Sequence, residues 1–338
     1  MTLRGYRGTM VAPSTLDDES YLEAVQALRG LAMGPLSARA QSAATAGGRT
    51  LAKDQIAALP EVGVRDRLLR SSQEMLWRRT ALTYDKDRAG LLAELAGDGD
   101  GGDDRRPAAD SPPEPDYLRE HHLQPGGYHG DELAGFVYHY GTKIFWLGAN
   151  DRDQAKEAIV AALPVPASGP VSRVLELACS VGQSTTALRA RFAEAEVWGI
   201  DVAAPMVRYA RWRAQRLGSD VRFLQQAAED LTFADASFDL VYASLLFHEV
   251  PVPVGQRIVR QVARVLRPGG VFIVNDLNPL ELTGSPWSAY ERWWDTEHNA
   301  EPYELEFLGS DFTAELAASF SRAEFTAEGY NGRWVAYR

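Results

Sequence analysis

The sequence predicts an α/β protein: a doubly wound, mostly parallel seven-stranded sheet with an antiparallel C-terminal hairpin, preceded by a helical region. Three observations predict it. Residues 173–192 read as a short apolar strand (RVLEL), a turn of small residues (ACSVG) and a helical pattern (QSTTALRARF), the opening unit of such a sheet. Between residues 196 and 274, short apolar runs alternate with helical periodicity, as parallel crossovers require. Asn331-Gly332 then sits between two alternating runs, 324–328 and 333–337, a strong hairpin cue.

Residues 1–13 carry no clear pattern. Ser14 or Thr15 can cap a helix whose first turn holds Asp17, Asp18 and Glu19, the favourable sign at a helix start. Its apolar stripe, Leu22, Val25, Leu28 and Ala32, ends at Gly34-Pro35. Further helices are expected over 37–46, 50–59 (stopped by Pro60), 65–84 and 87–96, so that 1–96 forms a helical region. Residues 97–116 (GDGDGGDDRRPAADSPPEPD) hold glycine, proline and acid with no large apolar side chain. Burial there cannot offset the entropy of ordering, and a flexible linker is expected.

Residues 117–338 are expected to form the sheet unit. An aromatic, histidine-rich lead-in precedes helices over 131–145 and 151–163, and prolines and glycines from 164 to 170 end it. After the opening strand, further strands are expected at 196–200, 221–224, 238–243 and 271–274, with helices at 205–217 and 255–266 between them. Pro268-Gly269-Gly270 ends the second of these helices. A lid-like insertion is expected at about 280–310, and a helix over 312–320 precedes the hairpin.

The formal net charge of -11 argues against a nucleic-acid backbone or an anionic membrane as the main partner. The single cysteine, Cys179, excludes an internal disulfide and a thiolate zinc cage, fits a reducing compartment, and reads as a small buried hydrophobe. The first residues lack the apolar core of a signal peptide and no uncharged run is long enough to span a bilayer, so a cytoplasmic location is expected. His121, His122, His129 and His139 lie near Glu120, Asp131 and Glu132, but without HExxH or regular ligand spacing, and no metal is expected.

Five stretches together carry a family resemblance: RVLELACSVGQ (173–183), WGIDVAAPMVRYAR (198–211), AAEDLTF (227–233), SFDLVYASLLFHEV (237–250) and VLRPGGVFIV (265–274). In order and spacing they resemble the motifs of class I S-adenosylmethionine (SAM)-dependent methyltransferases. The resemblance implies a Rossmann-like methyltransferase sheet, SAM as methyl donor and S-adenosylhomocysteine as product. It puts Glu176 and the loop positions Ala178, Ser180 and Gly182 on the cofactor side, with only the last family glycine retained. Asp201, 25 positions after Glu176, stands where the family acid takes both ribose hydroxyls, and Val202 and Met206 follow it. Adenine contact falls to Ala228 and Glu229, and Ser244 at the end of the fourth strand is a further cofactor contact.

Glu176 has a second reading, tying down the loop rather than touching ligand. Ala178 and Ser180 are tolerable replacements for glycine if their φ is negative. A positive φ brings strain of ~1–2 kcal/mol or a more distant cofactor. The resemblance puts His248 and Glu249 on the substrate side, where a histidine suits a general base when the nucleophile arrives protonated; capping or packing is the alternative role for His248. Asn275 and Asp276, ending the fifth strand, are comparable candidates for orienting substrate. The resemblance puts Tyr138 and Tyr140 over the site, with core packing as the alternative, and Trp287 and Tyr290 fit a lid on an apolar acceptor or, equally, packing on the N-terminal helices.

The expected activity is in-line methyl transfer to a small-molecule acceptor. The alternatives are a peptide or protein acceptor held by the extra helices, and a non-catalytic protein with this fold and a degenerate loop. An NAD-dependent oxidoreductase is a third, disfavoured by the absence of GxGxxG. The N-terminal helices also suit a homodimer contact.

Overall fold

The computed structural model describes residues 6–7, 10–13, 15–46, 50–97, 115–166, 169–279 and 284–338. Most of the expected linker, 98–114, and the start of the lid-like insertion, 280–283, lie outside the described residues.

A two-stranded ribbon, β1 (Tyr6–Arg7) and β2 (Met10–Val11), leads into α1 (Leu16–Leu31). Thr15 caps α1, its hydroxyl oxygen accepting the Asp18 N–H at 3.1 Å. The helix does not stop at Gly34-Pro35 as the sequence suggests. One π turn, Ala32–Leu36, carries the chain past Pro35 into α2 (Ser37–Thr45), absorbing the hydrogen bond the proline cannot make. After α3 (Lys53–Ala57), the long α4 (Pro60–Asp85) begins at Pro60 itself, five positions before the expected start. A proline in the first turn has no N–H to lose there. The run ends with α5 (Arg88–Gly97).

The helical region and the sheet unit share one core. Leu22 of α1 and Trp77 and Tyr84 of α4 pack with Phe136 and Tyr140 of α6 (Ala134–Phe145). Tyr209 and Trp212 of α9 (Ala204–Arg216) complete the cluster, which also includes Val181 of the turn at 178–182. Gly141 makes the closest approach possible: a Cβ there would lie 2.1 Å from the Trp77 ring.

Between α6 and α9 the chain forms α7 (Gln154–Ala161), β3 (Arg173–Leu177), α8 (Gln183–Arg191) and β4 (Glu196–Asp201). It continues through β5 (Arg222–Gln225), β6 (Phe238–Ser244), a 3₁₀ turn (Phe247–Glu249), α10 (Val252–Val265) and β7 (Leu266–Leu277). The insertion contributes α11 (Pro286–His298) and α12 (Glu304–Leu308), followed by α13 (Phe312–Ser319), β8 (Arg322–Glu328) and β9 (Asn331–Tyr337).

The sheet order is β5-β4-β3-β6-β7-β9-β8, with β9 antiparallel to both neighbours and the other pairs parallel. Its central strands are buried on both faces, as a covered parallel sheet requires. Leu175, Val241 and Phe272 pack towards Ile258, Val262 and Leu316 of α10 and α13. Val174, Leu240 and Ile273 pack towards Val160 and Leu188 of α7 and α8. The strand order reverses between β3 and β6, so the loops leaving these two strands diverge and open a crevice at their carboxyl ends.

Candidate active site

The turn between β3 and α8 is the floor of that crevice. Ala178 and Ser180 both have φ of 50°, and Gly182 has 76°. The strained alternative raised by the sequence is therefore the one observed. The bonds that hold it are local: the Ser180 N–H donates to Asp201 Oδ2 at 2.9 Å, the Cys179 N–H to Ile200 O at 2.9 Å, and the Gly182 N–H to Cys179 O at 2.8 Å. Gly182 does not line the cavity. A Cβ there would stand 2.8 Å from Phe223 Cζ, so this glycine lets α8 pack against the sheet.

These backbone angles give an immediate expectation. Ala178→Gly and Ser180→Gly should each stabilise the protein by about 0.5–1 kcal/mol, left-handed strain outweighing the extra chain entropy of glycine. Gly182→Ala should cost about 2–4 kcal/mol through positive φ and the Phe223 clash. Urea denaturation of the three variants measures both signs.

A cavity of about 620 Å³ opens above the turn, walled by α6 and, on its far side, by α1, α4 and α11. Glu176, Ala178, Ser180, Asp201, Val202, Met206, Ala228, Glu229 and Ser244 all line it, as expected from the motifs. Asp201, at the end of β4, accepts the Ala203 N–H through Oδ1 at 2.9 Å and the Ser180 N–H through Oδ2. Burial pushes its carboxyl up to about 6 against these hydrogen bonds. Glu176 accepts the Thr185 hydroxyl of α8, and burial pushes it up to about 8. That bond ties β3 to α8, and Glu176 lines the cavity at the same time. Gln226 Oε1 and Glu229 Oε2 are buried at the cavity without a hydrogen-bond partner, while Glu229 Oε1 accepts from the Tyr117 hydroxyl at 2.8 Å.

Lys156 of α7 joins this half unannounced by the sequence. Its Nζ lies 3.4 Å from Ser244 Oγ; burial lowers its pKa, while the charge of Glu176 works the other way. The α7 segment QAKEAIVA is an ordinary amphipathic pattern, and nothing local marks its lysine.

The other half is built on His248. Its Nδ1 is 2.6 Å from Asp276 Oδ1. Asp276 is fully buried, and its Oδ2 accepts the N–H groups of Leu246 at 3.1 Å and Phe247 at 2.8 Å. Burial alone would lower the imidazole; the Asp276 charge and hydrogen bond reverse this and lift it to about 9. Asn275 is not part of the constellation. Alternation along β7 turns it to the opposite face, where its amide donates to the Tyr242 hydroxyl at 3.1 Å and accepts from Arg333 Nε at 3.1 Å.

Glu249 lines the cavity and accepts from the Tyr128 hydroxyl at 3.2 Å, with His122 Nε2 at 3.6 Å. Burial would raise its carboxyl, but His122, His121 and His248 bring it down to about 2. His122 also contacts Glu301, and His121 stacks on Tyr128 with ring centres 5.7 Å apart. Nothing in the spacing of His121 and His122 marks them as cavity residues. The one signal for them was the crowding of histidines, acids and aromatics over residues 117–146.

Two further expectations divide in the same way. Tyr138 lines the cavity. Tyr140, about 200° round α6 from it, is buried in the core against Tyr84 at 6.4 Å. Trp287 and Tyr290 do not form a lid on the cavity. They stack at 5.7 Å and pack with Ala32, Ala40, Ile56 and Val62 of the helical region. The face of α11 that does reach the cavity carries Glu291, Arg292 and Asp295.

Comparison with known proteins agrees with this geometry. Residues 174–270 match the family model described as a methyltransferase domain. The chain is 36% identical over 107 residues to the demethylmenaquinone methyltransferase of Thermus thermophilus, covering 32% of this chain and 48% of that protein. It is 30% identical over 153 residues to the 27-O-demethylrifamycin SV methyltransferase of Amycolatopsis mediterranei, covering 43% and 53%. The chain spans about half the length of the curated relatives it matches. A solved O-methyltransferase family protein from Burkholderia thailandensis shares the fold over 96% of both chains, with a TM-score of 0.53 at 14% identity. Residues 174–270, carried on this sheet order, form a methyltransferase domain of the class I SAM-dependent type.

Proposed function

We propose that the protein transfers a methyl group from SAM to an oxygen of a small-molecule acceptor. The observation that carries this reading is the His248–Asp276 pair at 2.6 Å, in the same cavity as Asp201 and the β3–α8 turn. The cofactor half suits SAM on its donor set. Asp201 offers a buried carboxylate for ribose hydroxyls, and the orphaned oxygens Gln226 Oε1 and Glu229 Oε2 offer acceptors for an amino group. Bound SAM supplies a methyl carbon activated by a sulfonium.

The chain's own residues then have separate tasks. Asp276 fixes Nδ1 of His248, leaving Nε2 to take the hydroxyl proton, and its charge stabilises the imidazolium that results. The cavity walls from α1, α4, α6 and α11 hold the acceptor and exclude water, which is most of what an in-line displacement at an activated carbon needs. A walled chamber of about 620 Å³ favours a small acceptor over a peptide. The relatives' names, demethylmenaquinone and demethylrifamycin methyltransferase, support the same choice. Among the described residues no helix is long and apolar enough to cross a membrane.

The test is release of S-adenosylhomocysteine from SAM across a panel of phenols and alcohols with matched amines. Hydroxyl acceptors should turn over. Turnover confined to the amines would overturn the oxygen assignment.

A further inference from the structure

The chamber has a third sector, supplied by the N-terminal helices, that neither the cofactor half nor His248 uses. Arg29 of α1 lines it and is only 2% exposed. A guanidinium has five N–H donors. Here Nη1 donates to Gln73 Oε1 at 3.1 Å, Nη2 reaches the Met33 sulfur at 3.9 Å, and Nε has no partner. The group lies 4.7 Å from the Phe145 ring centre.

Two other arginines line the same chamber, and both are neutralised. Arg65 bonds Asp66 and Glu291 at 2.9 Å, and Arg292 bonds Glu304 at 3.1 Å. Arg29 has no carboxylate within ion-pair distance among the described residues. Burial brings its pKa down to about 10, with the charge of Asp295 opposing that fall from beyond bonding range. Keeping a buried cation without a bonded acid is costly unless something else neutralises it. The group is also held in position. Gln73, fully buried, gives its amide N–H to His122 O at 2.9 Å, which turns its oxygen towards Arg29.

We propose that Arg29 binds a carboxylate carried by the methyl acceptor. The acceptor thus spans the chamber, its hydroxyl at His248 and its anionic end under α1 and α4. This assigns the N-terminal helices a role in acceptor selection. A carboxylate suits the sector better than a phosphate, because the single guanidinium matches one negative charge and the neighbouring Asp295, Glu301 and Glu304 supply no cation for a second. The proposal deepens the methyl-transfer reading and takes the word acceptor from it.

The experiment uses the full chain with benzoate and its neutral isostere benzamide, titrated calorimetrically without cofactor and again with S-adenosylhomocysteine present. Benzoate should bind about tenfold or more tightly than benzamide, as expected for a charge-assisted pair. Arg29→Gln should abolish the preference, and Arg29→Lys should keep part of it, because a lysine supplies charge without the fork. Arg29→Met serves as the folding control: without ligand it should melt no lower than the wild type, whereas an arginine with a structural task would leave it less stable. Equal affinity for the two probes, binding of neither, or a preference that survives Arg29→Gln each overturns the proposal. SAM titrated into the same proteins separates the two readings. Failure of the wild type to bind SAM contradicts methyl transfer and leaves the benzoate comparison standing; intact SAM binding without benzoate preference contradicts only the role of Arg29.

Discussion

His248→Ala is expected to slow turnover of a hydroxyl acceptor by about 100- to 10,000-fold, the range for loss of a positioned general base, with SAM affinity unchanged. The reason lies in the pair and not in the histidine alone. Asp276 is held by three backbone N–H groups, two on Oδ2 and that of Leu277 on Oδ1, so the Oδ1 that meets His248 Nδ1 is fixed in place. The imidazole is lifted to about 9, so at neutral pH most of it is already protonated and unable to accept the hydroxyl proton. The acceptor's kcat/KM should therefore rise about tenfold per pH unit below this value and level off above it. Asp276→Asn removes the charge that lifts the imidazole, so the break should move down towards the ordinary histidine range while the plateau rate falls. The amide also turns an N–H towards Nδ1 and selects the wrong tautomer. A histidine that only packs would give a slower enzyme with an unshifted profile.

Asp201→Asn should weaken both SAM and S-adenosylhomocysteine by about 1–3 kcal/mol, roughly 5- to 150-fold, the worth of hydrogen bonds to a charged group. The asparagine keeps one acceptor oxygen for the Ser180 or Ala203 N–H, so a melting curve near that of the wild type separates lost ligand contact from a collapsed loop. The pH dependence has a definite sign. The Asp201 carboxyl titrates at about 6, above the ordinary aspartate value of 3.8, so the ligand-free fold holds this proton more tightly than the unfolded chain does. Its contribution to stability therefore improves as pH falls from about 6 towards 4. Binding that uses the carboxylate must expel the proton, so SAM affinity should decline as pH drops below 6, and the decline should vanish in Asp201→Asn.

The parallel part of the sheet is legible because its strands carry short apolar runs with their own stop signals, and Asp201 is legible because it ends one of them. Sites assembled from distant segments carried no such mark. Arg29, Lys156, His121 and His122 reach the cavity from α1, α7 and the segment before α6, and no spacing among them encodes the meeting. Other misplacements are a matter of which side of an element a residue occupies. Tyr138 and Tyr140 differ by two positions on a helix, and Asn275 and Asp276 by one on a strand; in each pair one member faces the cavity machinery and the other does not. Trp287 and Tyr290 show a different limit. An aromatic helix face looks the same in sequence whether it covers a ligand or other helices, and here it covers Ile56 and Val62. Ala178 and Ser180 are visible in the sequence as departures from glycine, but only the backbone reveals that the turn keeps its left-handed path regardless.

Calorimetric titration of the full chain with SAM, with S-adenosylhomocysteine and NADH run alongside, bears on everything above. Micromolar binding of SAM and its product, with none of NADH, is the expected result. No SAM binding by the folded chain, or NADH bound in its place, would contradict the assignment of Asp201 and the β3–α8 turn as a methyl-donor site.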